Sequence, residues 1–474
     1  MRTIEHIYID GRFVAPHGRE LFDLHNPATG EVIGRVRLGD ADDVDAAVAA
    51  AKRALPAMAR TGKAERLQML EAMQAAMHSH IDELREAVLD EYGAPVSRSS
   101  WMADYAAAAI QVATHTLKDY PLEREIGSAR VVMAPVGIVG LITPWNSNAG
   151  FICNKLAYAI AAGCTAVIKP SEMSALQTDV VLRALHEAGL PAGVYNLVNG
   201  HGADVGAAIA AHPDVAKISF TGSTAVGKSI VRASADSLKR VTLELGGKSP
   251  TIILDDADLD AVIPGVIEAG FMNSGQACIA GTRVLVSETR RAEFEARLKS
   301  AIETQVKVGD PRDPATTVGP MVSQTQWARV QRYIRIGQEE GARLLTGGEG
   351  RPDGLTGYFV RPTVFTDVGN DMKIAREEIF GPVLSILSYR NEDDAVAIAN
   401  DTTYGLSAYV FGEPVHAGRI AARLDSGRVV INGAAHEPLA PFGGMKQSGL
   451  GRENGPFGLE SYLEPKTLLG AHAA

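Results

Sequence analysis

The sequence predicts an α/β protein made of two such regions in tandem, and three observations predict it. Between residues 137 and 246 short β-branched runs alternate with helical stretches. From about 247 to 446 helical and extended patterns mix again. No internal repeat and no low-complexity linker separates the two stretches, so they are expected to pack closely. Alternation of this kind implies parallel strands joined by right-handed crossovers.

The elements follow in order. Residues 5–36 read as short strands and turns, with Asp10-Gly11 and Ala28-Thr29-Gly30 marking the turns. Residues 41–59 are rich in alanine with an acidic start, which suits a helix N-terminus. Residues 64–92 carry apolar positions at helical spacing and read as a second helix. Five strands come next: VGLIT, TAVIK, VYNLV, KISFT and VTLEL. Between them lie helices at 149–162, 175–188, 203–211 and 224–234, with Gly163 and Gly189 where helix C-caps are wanted. The second region reads as a helix near 258–273, a strand near 283–287, and helices near 290–305 and 325–341. A glycine-rich loop at 346–357 precedes FVRPTVF, and a tail strand is expected over about 460–474.

Composition narrows the class. The chain has 474 residues, 46% hydrophobic and 22% charged, enough for a large core and two or three domains. Its formal charge of −10 argues against a general nucleic-acid or anionic-membrane surface. Three cysteines (Cys153, Cys164 and Cys278) without CxxC or Cys/His spacing speak against a disulfide framework or a metal site. They favour a reducing, cytoplasmic setting. The N-terminus has no apolar h-region, and no apolar run is long enough to span a membrane.

Six short motifs carry possible chemistry. Asn273-Ser-Gly-Gln-Ala-Cys278 puts a thiol after a polar, flexible segment, where a thiolate could attack a carbonyl carbon. A buried, inert cysteine is the plainer alternative. Leu243-Glu244-Leu245-Gly246-Gly247-Lys248 ends the fifth strand. A carboxylate between two leucines should have a raised pKa and suit general-base work; a solvated edge glutamate would look the same. In Thr143-Pro-Trp-Asn146 the carboxamide could stabilise an oxyanion, or simply build a turn. Lys169-Pro-Ser-Glu172 could hold ribose hydroxyls, or cap the next helix. Phe220-Thr-Gly222-Ser223 through Gly227 opens a helix, a place suited to pyrophosphate. With Lys228 the segment looks superficially like a Walker A, but the glycine-rich interior is missing. Glu377-Glu378-Ile-Phe380-Gly-Pro382 could clamp a ribose and a flat ring, or merely end a helix.

Each motif is weak alone, but their joint order is not. PWN, KPSE, FTGSTxxG, ELGGK, GQxC, EEIFGP and PFGGxKxSGxGRE stand here in the order found in the aldehyde dehydrogenase superfamily. The chain resembles that superfamily from its NPATGEVIG opening to its EPKT tail. The resemblance implies a Rossmann-like coenzyme domain over 1–118 and 137–246 and an α/β catalytic domain over 247–459. It also implies a small β bridging element at 119–136 and 460–474 that favours a homodimer or homotetramer. Cys278 is implied as nucleophile, Glu244 as the base that activates water, and Asn146 with the Cys278 backbone N–H as oxyanion hole. Lys169, counted with the catalytic group as well, pairs with Glu172 at the adenosine ribose. Gly222, Ser223 and Gly227 match the pyrophosphate turn, with Trp145 nearby. Glu378 matches the nicotinamide-ribose contact and Phe380 the residue packing near that ring. Lys155 and Glu453 match a proton path from Glu244.

The implied reaction is NAD-dependent oxidation of an aldehyde to an acid through a thioester, with NAD preferred because Glu172 would repel a 2′-phosphate, and NADP use still open. The intact Glu244 favours hydrolysis over transfer to coenzyme A. A coenzyme A-acylating enzyme, or a non-catalytic protein on the same scaffold, is the competing reading. One departure stands out. Where many hydrolytic members carry large apolar groups on the tunnel helix, this chain has Ser147 and Asn154, with Phe151 between them. Together with Ala277 and Ile279 beside the nucleophile, these predict a wide, polar tunnel for a bulky or polar aldehyde. Arg283, five residues beyond Cys278, leaves a carboxylated substrate open.

Overall fold

The computed structural model describes residues 2–470, so the last four residues of the expected tail strand lie outside the described residues. Two sheets organise it. The first has eight strands, and its parallel core runs Arg240–Glu244, Val215–Thr221, Ile138–Ile142, Thr165–Lys169, Tyr195–Leu197. These are the five strands expected from the sequence. The hairpin Ile7–Ile9 and Arg12–Val14 extends one edge, turned by Asp10 (φ 54°) and Gly11 (φ 79°). Positive φ at both turn positions explains the Asp-Gly pair.

Chain order in this sheet reverses between Ile138–Ile142 and Val215–Thr221. Crossovers leave these neighbours in opposite directions, so a crevice opens beyond their carboxyl ends. Thr143–Asn146 and Gly222–Ser223 follow those two ends. The topology thus brings two sequence-distant motifs to one place.

The second sheet has seven strands in the order Arg343–Thr346, Thr363–Thr366, Val383–Tyr389, Arg283–Ser287, Pro250–Ile253, Ser407–Phe411, Arg428–Ile431. All neighbours are parallel except the first pair. Helix Leu259–Phe271 returns from Pro250–Ile253 and delivers the chain to Cys278. A third sheet pairs Leu463–Leu469, Ala129–Pro135 and Glu123–Ile126 antiparallel, within the two segments read as a bridging element. All four residues of Glu123–Ile126 are exposed.

Two expectations are corrected, and one helix had none. The helix read over 64–92 is two helices, Lys63–Ser79 and Ile81–Glu91, broken at His80 (φ −108°, ψ 6°). The 24-residue helix Val96–Asp119 was not foreseen, because its buried stripe consists largely of alanine and gives little apolar contrast. Small side chains let it lie close against helix Asn148–Ala162. The expected catalytic span ended at 459, yet Gly449–Leu450 pairs with Arg240–Glu244 at the edge of the first sheet. Helix Gly455–Glu460 also packs on helices of that side. Among the described residues no helix is long and apolar enough to cross a membrane.

Candidate active site

Of the three cysteines, Cys153 and Cys164 are fully buried, whereas Cys278 opens on a cavity of about 250 Å³. An unusual backbone presents it. Asn273 (φ 55°), Ser274 (φ 59°) and Gly275 (φ 73°) are consecutively left-handed after helix Leu259–Phe271 ends. Non-glycine residues hold that conformation only when their surroundings fix it. Here Asn273 Nδ2 donates to Gln276 O (3.1 Å) and Asn146 O (3.3 Å). Ser274 Oγ accepts from Gly319 N (2.9 Å). The Gln276 carboxamide donates to Pro320 O (3.2 Å) and accepts from Val322 N (2.9 Å). A Cβ on Gly275 would overlap the Gly381 carbonyl. Gly275→Ala should therefore destabilise the protein by about 2 kcal/mol or more, from left-handed strain plus the overlap. A lowered urea midpoint would register this, with activity falling alongside it.

Burial pushes the Cys278 thiol up to about 12, and the carboxylates of Glu378 and Glu244 push the same way. Backbone N–H groups of Cys278 and Ile279 face the sulfur and oppose the shift. Asn146 Nδ2 donates to Gln276 O (3.0 Å), which fixes its carboxamide and leaves one of its two N–H bonds free.

Glu244 lines the same cavity from the end of its strand. It is buried, and neither carboxylate oxygen has a hydrogen-bond partner among the described residues. Burial raises its pKa well above the ordinary carboxylate range; the charge on Glu453 adds to this, and Lys155 and Arg452 oppose it. Behind it lies a buried ion pair, Lys155 with Glu453, joined by Ser219, whose Oγ is 3.0 Å from Lys155 Nζ and 3.3 Å from Glu453. Asn154 belongs to this network: it is buried, and its Nδ2 reaches Glu453 at 3.5 Å. Its side chain is therefore committed to Glu453 rather than to an open tunnel, and the expected polar tunnel loses one of its two residues. Ser147 is buried with an unpartnered Oγ, while Phe151, Ala277 and Ile279 are half-buried.

On its other side the cavity meets Trp145, Gly222, Ser223, Glu378 and Phe380. Trp145 and Phe380 pack edge to face at 5.4 Å. Glu378 accepts from Gly247 N (3.2 Å), and burial raises its pKa to about 7. Ser223 caps helix Thr224–Ser234, accepting from Val226 N at 3.3 Å. Gly227 is placed differently: a Cβ there would come within 2.6 Å of Leu245, so it serves close helix–strand packing. Lys169 and Glu172 pair at 3.0 Å, but three strands along the sheet from Glu244. At about 4.8 Å per strand that is about 14 Å, so Lys169 does not join the catalytic group.

Two cavity residues escaped sequence reasoning. Gln326 and Arg329 on helix Gln324–Glu339 hold the Glu378–Phe380 loop: Gln326 donates to Phe380 O (2.7 Å) and Arg329 to Glu378 O (2.5 Å). They bind backbone carbonyls, and no local motif announces that. Arg283 is corrected too. It is fully buried, donating to the carbonyls of Lys248, Ile398 and Ala399 and to Asn370 Oδ1.

The chain is similar to known proteins over nearly its whole length. The sequence profile described as the aldehyde dehydrogenase family matches residues 13–468. A curated relative from Pseudomonas sp., 3-succinoylsemialdehyde-pyridine dehydrogenase, is 46% identical over 474 residues, covering 99% of each chain. A crystal structure of a cysteine-to-alanine mutant of aldehyde dehydrogenase C from Pseudomonas syringae, with NAD+ and octanal, superposes with TM-score 0.97 at 45% identity, covering 99% of this chain and 97% of that one. Betaine aldehyde dehydrogenase from Staphylococcus aureus, in complex with NAD+, gives TM-score 0.95 at 34% identity, covering 98% and 94%.

Proposed function

The chain belongs to the aldehyde dehydrogenase family and is an NAD-dependent enzyme that oxidises aldehydes to acids, and from that premise we propose that Cys278, Glu244 and Asn146 carry the chemistry. One observation supports this most: a thiol and a buried carboxylate without a hydrogen-bond partner open on one cavity.

NAD fits the residues present. The capped N-terminus of helix Thr224–Ser234 suits a pyrophosphate, and a Cβ on Gly222 would crowd the turn against Phe220. Glu378 offers a carboxylate to one ribose, and the Lys169–Glu172 pair offers a donor and an acceptor to the other. Trp145 and Phe380 supply flat apolar surface between. When bound, the cofactor accepts a hydride from the substrate carbon.

The chain's own residues do the rest. Cys278 Sγ gives up its proton to solvent and bonds to the aldehyde carbon, and the carbonyl π pair moves onto the oxygen. The oxygen so charged meets the free N–H of Asn146 and the Cys278 backbone N–H, donors fixed before the reaction. Once the carbon is oxidised, the acyl group remains on Cys278 as a thioester. Glu244 takes a proton from water, the hydroxide displaces sulfur, and the acid leaves. Lys155 and Glu453 stand next to Glu244 to pass that proton on. We assign self-association to the third sheet, whose two outer strands carry exposed Ile126 and Leu469 and have no further strand partner among the described residues.

The test is absorbance of reduced cofactor with NAD or NADP and an aldehyde panel, with product analysis. Free acid formed without coenzyme A, and faster turnover with NAD, is the expected result. Product appearing only with coenzyme A would assign the acylating reaction instead.

A further inference from the structure

This inference rests on the reading that Lys169 and Glu172 meet the adenosine ribose, and it concerns how the chain chooses its coenzyme. Lys169 ends its strand in register with Ile142, whose other neighbour is Phe220 of the strand that leads to Gly222 and Ser223. The Lys169–Glu172 pair therefore stands on the same carboxyl-end rim as that turn, two strands away. That is about 10 Å, a gap that an ADP moiety spans.

The pair has a third member. The chain leaving strand Tyr195–Leu197 stays bonded to the Lys169 strand, Val198 N donating to Ile168 O at 2.9 Å, and then turns at His201. Farther on, Gly206 passes close to Lys169, where an added Cβ would sit 4.0 Å from Lys169 Cδ. His201 is thereby set against Glu172: its Nδ1 lies 3.7 Å from Glu172 Oε1, while Lys169 Nζ holds Glu172 Oε2 at 3.0 Å. The other ring nitrogen, Nε2, is 2.9 Å from Glu20 Oε1. Phe22 meets the imidazole edge-on, ring centres 6.0 Å apart. One imidazole thus lies between two carboxylates, one of them the ribose acceptor, and keeps 32% of its side chain exposed to water. Glu20 comes from the segment entering strand Leu21–His25, and Glu172 and Lys169 face the ring from the other side. Asp204, on the turn that His201 opens, is exposed. Strand alternation turns Asp23, Arg35 and Arg37 to the opposite face of their sheet from Glu20 and Phe22.

The bond to Glu20 raises the His201 pKa above its ordinary value; partial burial opposes this, and the Glu172 charge adds to it. The ring therefore holds its proton beyond the ordinary histidine range and sheds it at higher pH. For Glu172 burial acts upward, but Lys169 and then His201 bring its pKa below the ordinary carboxylate value, so it is ionised in both states of the ring. Losing the imidazole proton removes one positive charge from beside Glu172, whatever fixed charges surround them. A ribose 2′-hydroxyl needs only an acceptor oxygen, and both states leave lone pairs open on Glu172. A 2′-phosphate is an anion, and it meets an unguarded carboxylate in one state and a guarded one in the other. We propose that His201 sets coenzyme specificity: with its ring neutral, Glu172 excludes a 2′-phosphate and NAD is strongly preferred, and with its ring charged the exclusion relaxes and NADP is admitted.

The experiment measures Kd for NAD+ and for NADP+ by calorimetry on the intact enzyme without aldehyde, at steps between about pH 6 and about pH 9, a range that brackets the raised histidine titration. The quantity read is the ratio of the NADP+ Kd to the NAD+ Kd, so a loss common to both coenzymes cancels. In the wild type this ratio should rise with pH. Part of the rise belongs to the 2′-phosphate, whose second ionisation lies near about pH 6 and is shared by every variant. His201→Gln should remove the rest, making the rise about five- to tenfold smaller, the effect of one charge at short range in a partly solvated site. Glu20→Gln should move the rise to lower pH, because the group that chiefly holds the proton is gone. A full wild-type rise in His201→Gln, even with both coenzymes bound more weakly, would overturn the proposal and leave the ring a structural role. A rise that stays in place in Glu20→Gln would overturn it as well. Glu172→Gln tests the premise separately: the ratio should fall across the whole range, and an unchanged ratio would overturn the ribose reading and the proposal with it.

Discussion

Cys278→Ala should lower aldehyde oxidation on the order of 10⁴-fold or more, since the step that joins substrate to protein is lost outright. Binding of NAD, followed by quenching of tryptophan fluorescence, should stay within about twofold. The groups offered to the cofactor (Trp145, Glu378, Phe380 and the Ser223 cap) do not depend on the thiol. The other cysteines sharpen the test. Cys153 and Cys164 are fully exposed to nothing but core, and burial raises their thiols to about 12 and about 11. Cys153→Ala and Cys164→Ala should therefore keep turnover while losing stability through the cavities they leave. Activity surviving in Cys278→Ala would dismiss the covalent route.

The five parallel strands, and the meeting of the Cys278, Glu244 and Asn146 segments at one cavity, were legible in the sequence for one reason. Parallel strands buried on both faces read as continuous β-branched runs, and functional groups gather where those runs stop. Glu244 is the last residue of one such run, and Asn146 lies in the turn just beyond another that ends at Ile142. What stayed hidden was anything decided by partners far along the chain. Asn154 read as a tunnel residue from helix position, yet Glu453, 299 residues away, claims its amide. Gly227 read as a phosphate residue, yet Leu245 across the crossover requires its missing Cβ. Val96–Asp119 read as nothing, because an alanine stripe is apolar only by comparison with what it packs against.

Glu244→Gln should separate the two halves of the reaction. Glutamine keeps the shape but cannot accept a proton, so hydrolysis loses its base and the steady rate should fall about 10²- to 10⁴-fold. Thioester formation does not use that base, so the first turnover should remain. Rapid mixing with NAD and aldehyde should then show a burst of reduced cofactor approaching one equivalent per chain, followed by the slow rate. A pH profile adds an independent reading with a definite sign. Burial and the Glu453 charge hold the Glu244 pKa well above the ordinary carboxylate range, so in the wild type the ionised base accumulates as pH rises. Hydrolysis should therefore climb with pH through that raised pKa, and the glutamine variant should lack the climb. Lys155 lies on the opposite side of this balance, since its positive charge lowers the Glu244 pKa. Lys155→Met should accordingly move the wild-type climb to higher pH. A burst lost together with the steady rate would mean that the carboxylate also serves addition of the thiol. Unchanged steady turnover in Glu244→Gln would remove it from the reaction altogether.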